Sequence, residues 1–172
     1  ARRIAADGHS RGIALFPRSA WGERLAAAFT SELQATGVTL TGSQSYDPGT
    51  RDFSGPLRAV LGRYGGAGDR TADKSAPHRD AAAEALEGPQ FAFIAATAQT
   101  ARALKPQLRF QMTYDLPVYA TSDAWDPSTR TAADLDGLTF PGLPWILSGG
   151  QGAPALWAVL QHEDWLGRNA LI

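Results

Sequence analysis

Residues 8–12 read Gly-His-Ser-Arg-Gly and match the G-x-S-x-G pattern of a serine nucleophile elbow. In that motif the serine lies on a sharp turn after a strand and before a helix, which lifts its hydroxyl above the sheet. Here the order is reversed, because polar, helix-like residues precede Ser10 and an apolar run that begins at Gly12 follows it. The pattern therefore favours a turn that enters a strand over the active site of a serine hydrolase.

Four further motifs resemble functional sites only in part. Residues 78–80 read His-Arg-Asp, as in protein kinases, but the chain's only asparagine is Asn169, so the required Asn does not follow them. Residues 162–164 could offer metal ligands, but neighbouring positions on a helix face different ways. Residues 149–152 lack the Lys-Ser/Thr of a phosphate loop, and residues 134–137 lack the rest of a calcium loop. The sequence predicts no catalytic residue, no metal ion and no cofactor.

Composition excludes some functions and leaves the cellular compartment open. The chain has 172 residues, the usual size of one domain, with 17 acidic and 16 basic side chains and a net charge of -1. That balance gives no electrostatic footprint for nucleic acid. No apolar run approaches the roughly 20 residues that span a bilayer, and there is no cysteine. Because the chain begins without Met and ends in an apolar run, we expect it to be a piece of a longer protein.

Segments of two kinds alternate along the chain and must position any functional residue. Short apolar runs predict buried strands, and apolar residues at three- and four-residue spacing predict helices between them. The order predicts an α/β fold with a doubly wound, mostly parallel sheet. In this sheet Ile13–Phe16 and Val118–Thr121 should be neighbours or one strand apart, and Phe91–Ala96 should run parallel to them. The predicted strands are 12–17, 38–46, 91–96, 117–121 and part of 138–147, and the predicted helices follow Ser19, cover 53–64 and 77–86, follow Thr97, and begin at Pro154.

The helix after the first strand has recognisable ends and one apolar face. Ser19 is a suitable N-cap and Gly37 is a suitable stop. Trp21, Phe29 and Leu33 are separated by multiples of four residues, so we expect all three in the core.

The helix capped by Thr97 should turn Ala101, Leu104 and Leu108 inward. Pro106 should kink or split it, because an interior proline loses a hydrogen bond and clashes with the preceding turn, at a cost of about 3 kcal/mol. Its basic residues should lie on the outer side: Arg102, Lys105 and Arg109.

Polar and aromatic residues follow several predicted strands at their carboxyl ends, where open α/β sheets bind ligands. Arg18, Ser122 and Asp123 should lie at the open edge of the sheet, facing a second lobe. The alternative is that Ser19 and Thr97 only cap helices. The candidate binding residues are Arg18, Ser19, Thr97, Thr121, Ser122, Asp123 and Trp125.

Several blocks of the sequence resemble one known family. The most specific are residues 115–122, which read Asp-Leu-Pro-Val-Tyr-Ala-Thr-Ser, and residues 144–147, which read Pro-Trp-Ile-Leu. Weaker blocks accompany them at residues 1–9, 15–17, 21–29, 91–97, 103–110 and 134–138. On these residues the chain resembles the penicillin-binding-protein activators, the LppC or LpoA lipoproteins, over most of its length outside residues 61–88.

The resemblance implies a fold, a location and a partner. It implies that the chain comes from the C-terminal domain of an outer-membrane lipoprotein and that this domain faces the periplasm. The domain would have a type 1 periplasmic-binding-protein-like fold of two lobes. Residues 1–172 would form one of these lobes. It implies a non-catalytic module that engages a bifunctional peptidoglycan synthase, a penicillin-binding protein, and stimulates cell-wall synthesis. The family's lipid-attachment Cys and N-terminal helical repeats are missing from this chain, so the membrane would be reached only through an anchor outside it.

A second function stays open beside this one. The same strand ends could form the cleft of a small-molecule sensor or solute-binding lobe. A metabolite bound there would favour this alternative, and capture of a peptidoglycan synthase without a metabolite would favour the regulatory module.

Overall fold

Five parallel strands form a sheet in the computed structural model, which describes residues 1–62, 88–112, 115–126 and 135–142. Residues Ala1–Thr139 form one compact unit and Phe140–Ile172 form another. The sheet belongs to the first unit, and its strand order is β2-β1-β3-β4-β5. The strands are β1 Arg11–Pro17, β2 Thr39–Tyr46, β3 Phe91–Ile94, β4 Val118–Ala120 and β5 Leu138–Thr139.

Four α-helices and one short 3-10 turn connect or precede these strands in the described residues. None of the helices in this part of the chain has the length and apolar character needed to span a bilayer. The predicted helices at 77–86 and from Pro154 lie outside the described residues. The helices are α1 Arg2–Ala6, α2 Ala20–Ala35, α3 Ser54–Leu61 and α4 Ala98–Gln111, and the 3-10 turn is Ser122–Ala124.

The α/β architecture with a parallel sheet is confirmed. β1 pairs in parallel with β2 and with β3, and β3 pairs in parallel with β4. The strands around Ile13 and Val118 are therefore one strand apart, as predicted. β3 ends at Ile94, two residues earlier than expected, although Ala95 and Ala96 are still buried.

Helices cover both faces of the sheet, which makes it doubly wound. Because side chains alternate along a strand, Ala14 and Phe16 face one side and Ile13 and Leu15 face the other. The first face packs with Ile4 of α1 and with α2 in one apolar cluster. The second face is covered by α3, which contacts β1 and β2, and α4 packs against α3. All-parallel sheets need this cover on both sides, because both of their faces are apolar.

An aromatic cluster forms the centre of the first face. The ring of Phe29 from α2 stacks on that of Phe93 from β3, with centroids 3.8 Å apart and planes at 17°. Phe16 of β1 meets both rings, at centroid distances of 6.3 and 5.8 Å. Phe29 and Leu33 are buried, so two of the three predicted core residues of α2 are confirmed.

The prediction that Trp21 belongs to the core is wrong, because its side chain is 40% exposed. A spacing of four residues turns about 400° around an α-helix and so drifts by about 40° at each step, or about 120° between positions 33 and 21. The inward position of the first turn is taken by Gly22 instead. A Cβ atom there would lie 1.9 Å from the carbonyl oxygen of Pro17, so α2 begins in direct contact with the end of β1.

Local signals at the two ends of α2 are confirmed. The Ser19 hydroxyl accepts a hydrogen bond from the Gly22 N–H at 3.1 Å. At the other end Gly37 has φ 76°, and the Val38 N–H donates to the Leu33 carbonyl at 3.0 Å. This is the Schellman arrangement, in which a left-handed glycine lets the next residue close the helix. The same bond starts the turn toward β2.

Pro106 does not split α4, which continues through it. The side-chain amide of the next residue, Gln107, donates to the Ala103 carbonyl at 3.0 Å and to the Arg51 carbonyl at 2.8 Å, and its oxygen accepts from the Phe53 N–H at 2.9 Å. These bonds join the turn that follows the proline to the start of α3. The inward positions of α4 are confirmed: Ala101, Leu104 and Leu108 are buried.

Candidate functional site

The carboxyl ends of the strands meet at one edge of the sheet, because all the strands are parallel. Here the Tyr46 hydroxyl at the end of β2 donates a 2.6 Å hydrogen bond to the Ala95 carbonyl just beyond β3. The Thr121 hydroxyl beyond β4 donates to the Ala96 carbonyl at 3.4 Å. The Arg18 N–H beyond β1 donates to the Tyr46 carbonyl at 2.7 Å. These bonds hold the ends of β1, β2, β3 and β4 together. We call this end of the sheet the carboxyl edge.

Tyr46 is the most buried anchor of the carboxyl edge, and its role was not predicted from the sequence. Its ring packs edge-on against Phe53 with centroids 5.4 Å apart. Burial raises the pKa of the Tyr46 phenol above its usual value, so the group stays neutral and acts as a donor to Ala95. Tyr46 therefore has a structural role, because its hydroxyl ties the end of β2 to the residue that follows β3.

Two of the seven candidate residues cap helices at this edge. Ser19 caps α2 through its bond from Gly22. The Thr97 hydroxyl accepts from the Thr100 N–H at 3.4 Å and lies 3.1 Å from the Thr100 hydroxyl. Both residues therefore cap helices, and neither hydroxyl has a neighbouring base among these bonds.

The other candidates also lie at the carboxyl edge. Arg18 and Ser122 are exposed, whereas Thr121, Asp123 and Trp125 are partly buried. The Trp125 N–H donates to the Ser122 carbonyl at 3.1 Å, which closes the 3-10 turn after β4. Exposed polar side chains therefore follow β1 and β4, and Thr97 after β3 is exposed as well.

Ser10 lies at the opposite edge, before β1, as the order of the sequence indicates. Its N–H and its hydroxyl are both within hydrogen-bond distance of the Gln90 side-chain oxygen, at 2.8 and 3.2 Å. The neighbouring His9 ring lies against Phe91 and Tyr119, with centroids about 6 Å away. The serine is thus bonded to an amide and is not placed on a strand-to-helix turn.

We expect no nucleophilic reaction at Ser10, because its hydroxyl is held by the Gln90 amide and lacks the elbow geometry. The purified protein should not be labelled by a fluorophosphonate probe and should hydrolyse simple esters no faster than buffer. Labelling that disappears in the Ser10→Ala variant would contradict this expectation.

A second polar cluster joins α1 to the sheet. The Tyr119 hydroxyl donates to an Asp7 carboxylate oxygen at 2.6 Å, and the Arg3 Nε donates to the same oxygen at 2.9 Å. These bonds hold the pKa of Asp7 below its usual value, while burial and the bond to Asp7 raise the pKa of Tyr119 to about 12. The carboxylate is charged at neutral pH, so the cluster fastens α1 and supplies no proton for catalysis.

A cavity of about 340 Å³ lies away from the carboxyl edge, between the second half of α4 and the amino ends of β4 and β5. None of the seven candidate residues lines it. No group of three or more histidine, cysteine or acidic side chains in the described ranges could hold a metal ion. The cavity is lined by Lys105, Leu108, Arg109, Met112, Asp115, Leu116, Pro117, Val118, Asp136 and Gly137.

Most of the chain matches a known protein family. Residues 1–154 match the family model described as "LppC putative lipoprotein". No curated protein sequence matches the chain.

Solved structures show the same fold at low sequence identity. The crystal structure of full-length LpoA from Haemophilus influenzae aligns with a TM-score of 0.62 and 16% identity, over 95% of this chain and 25% of that one. A substrate-binding periplasmic protein from Ralstonia solanacearum aligns with a TM-score of 0.50 and 18% identity, over 71% of this chain and 28% of that one. The chain thus matches only about a quarter of the length of each, and it shares the α/β fold of periplasmic binding proteins and LpoA.

Proposed function

Because the chain belongs to the LppC lipoprotein family, we propose that it is a non-catalytic binding module that engages and activates a bifunctional peptidoglycan synthase. The partner is a penicillin-binding protein. The module acts in the periplasm, and the longer protein of which it is a part is anchored in the outer membrane by lipid. The family match over residues 1–154 is the observation that carries this proposal.

The chemistry of the carboxyl edge supports binding over catalysis. The hydroxyls of Ser19 and Thr97 accept bonds from helix N–H groups, and that of Thr121 donates to a carbonyl. A serine or threonine nucleophile needs an adjacent base, and none of these bonds supplies one. The edge presents fixed side chains, which is what a recognition surface requires.

We further propose that Arg18 and Trp21 are contacts of the synthase at this edge. Trp21 lies in the first turn of α2, just beyond β1, and it is 40% exposed. The close contact of Gly22 with Pro17 fixes the backbone beneath the ring. Tryptophan and arginine are enriched among the residues that dominate binding energy, and a rigid backbone lowers the entropy lost on binding.

The experiment uses the full-length lipoprotein and the bifunctional synthase of the same organism. We expect direct binding by surface plasmon resonance and faster glycan polymerisation when the lipoprotein is added. Trp21→Ala and Arg18→Ala should each weaken binding at least about tenfold, as truncation of an interface anchor does.

Arg58→Ala is the matched control, because Arg58 is an exposed arginine in the last turn of α3. It should leave binding unchanged, and all three variants should stay folded at the temperature of the binding assay. Absence of any binding between the unmodified proteins contradicts the proposed function. Equal binding by all three variants leaves the synthase as the partner and rejects the carboxyl edge as its contact.

The second candidate function is small-molecule binding at the same edge. The polar set Arg18, Thr97, Thr121, Ser122 and Asp123 follows three strands at the position where open α/β sheets bind ligands. A metabolite that raises the melting temperature of the full-length protein, and loses this effect in Asp123→Ala, would favour it. Synthase binding in the absence of any metabolite would favour the first candidate.

A further inference from the structure

The cavity beside α4 has a buried apolar floor. Leu108, Met112, Leu116 and Val118 contribute to it, and each of these side chains is less than a tenth exposed. Its volume of about 340 Å³ lies at the lower end of the range for small-molecule sites. The floor can therefore take one small apolar group.

One wall of the cavity is held in place by Lys105. Its Nζ donates a hydrogen bond to the carbonyl oxygen of Asp136 and so joins α4 to the turn before β5. That turn is completed by Gly137, whose φ of 79° favours glycine. The wall is thus built from two segments that a single side chain connects.

Charges of both signs stand at the rim. Arg109, Asp115 and Asp136 are exposed, and within the described residues no side-chain hydrogen bond or ion pair is seen at their charged groups. α4 ends at Gln111, with Met112 as its C-cap, so the partial negative charge of its last carbonyls lies next to the floor. The rim offers a guanidinium to an anion, and carboxylates and a helix end to a cation.

We infer that this cavity binds a small zwitterion with an apolar side chain, an amino acid or the end of a short peptide. Arg109 takes the carboxylate, Asp115 takes the ammonium group, and the side chain rests on the floor around Met112. A simple anion would meet Asp115 and Asp136, and a simple cation would meet Lys105 and Arg109. Only a ligand that carries both charges finds a partner for each.

The site is independent of the proposed synthase contact, because its residues lie at the amino ends of β4 and β5. Loss of ligand binding at the cavity therefore need not affect synthase binding, and loss of synthase binding need not affect the cavity. Calorimetric titration of the full chain with four defined compounds tests it: leucine, leucyl-leucine, N-acetylleucine and leucinamide. We expect leucine or leucyl-leucine to bind, and both singly charged compounds to bind at least about tenfold more weakly, as expected for loss of one charge-assisted contact.

The two zwitterions separate the possible sources of the ligand. Tighter binding of leucine identifies a free amino acid, and tighter binding of leucyl-leucine identifies a peptide. Arg109→Gln should weaken the better ligand at least about tenfold, whereas Arg24→Gln, an exposed arginine of α2, should not change it. Asp115→Asn should weaken leucine but leave N-acetylleucine unchanged, because that compound has no ammonium group.

Three results would overturn the inference. The first is no binding of leucine or leucyl-leucine at millimolar concentration. The second is equal binding of the zwitterions and the singly charged compounds. The third is undiminished binding by a folded Arg109→Gln variant. Arg109 is exposed and bears no described bond, so this substitution should not unfold the protein.

Discussion

Replacing Phe29 with alanine is expected to lower the free energy of unfolding by about 3–5 kcal/mol, the range typical of a buried phenylalanine. The ring stacks on Phe93 and meets Phe16 edge-on, so its removal leaves a hole between α2 and the centre of the sheet. The surrounding side chains come from a helix and two paired strands and cannot easily close it. Denaturant melts of the parent and the variant measure the loss.

Trp21→Ala is the matched control for this prediction. It removes a larger side chain from the same helix, but from its exposed side, so we expect a loss below about 1 kcal/mol. A Phe29→Ala loss below about 1 kcal/mol, or a larger loss for Trp21→Ala, would mean that the helix faces are assigned the wrong way round.

Gly22→Ala is expected to destabilise the protein by about 1–3 kcal/mol, as overpacking usually does. Propensity alone predicts the opposite sign, because alanine in a helix is favoured over glycine by about 1 kcal/mol. The added Cβ would lie 1.9 Å from the Pro17 carbonyl oxygen, which is main chain and cannot rotate away. The helix must therefore move off the end of β1, and thermal unfolding should show a lower melting temperature.

Gly55→Ala is the control for the propensity term. Gly55 lies in the first turn of α3, and a Cβ there would meet nothing within 4 Å. This substitution should be neutral or should stabilise the protein by up to about 1 kcal/mol. A stabilising Gly22→Ala would show that α2 does not begin as close to β1 as described.

What the sequence predicted correctly depends on near neighbours in the chain. The Ser19 cap uses an N–H three residues away, and the Gly37 stop uses carbonyls within the preceding turn. Strands such as β3 are apolar along their whole length, so burial and parallel pairing follow from composition. The prediction that Trp21 is buried was wrong for a geometrical reason. A spacing of four residues departs from the 3.6-residue helical period, and the difference accumulates over three turns.

The missed features join residues that are distant in sequence. The bond from Tyr119 to Asp7 and that from Tyr46 to Ala95 depend on which strand lies beside which. The cavity depends on the same topology, because α4 and the turn at Gly137 are brought together only when β4 and β5 pair. Lys105 and Arg109 were predicted only to lie on the outer side of a helix. Basic residues are common there, so they did not indicate a cavity.

The strand order has a consequence for how the chain acquires its structure during synthesis. β1 has strand neighbours on both sides, and its partner in β2 follows soon after it, as Arg11 and Thr39 show. Its partner in β3 comes about 80 residues later, where Ile13 meets Ala92. Until β3 leaves the ribosome, β1 has unpaired backbone N–H and C=O groups along one side. An apolar strand with such a side can pair with other chains. β1, an inner strand of the finished sheet, is therefore a part of the nascent protein that needs protection by chaperones until β3 has been made.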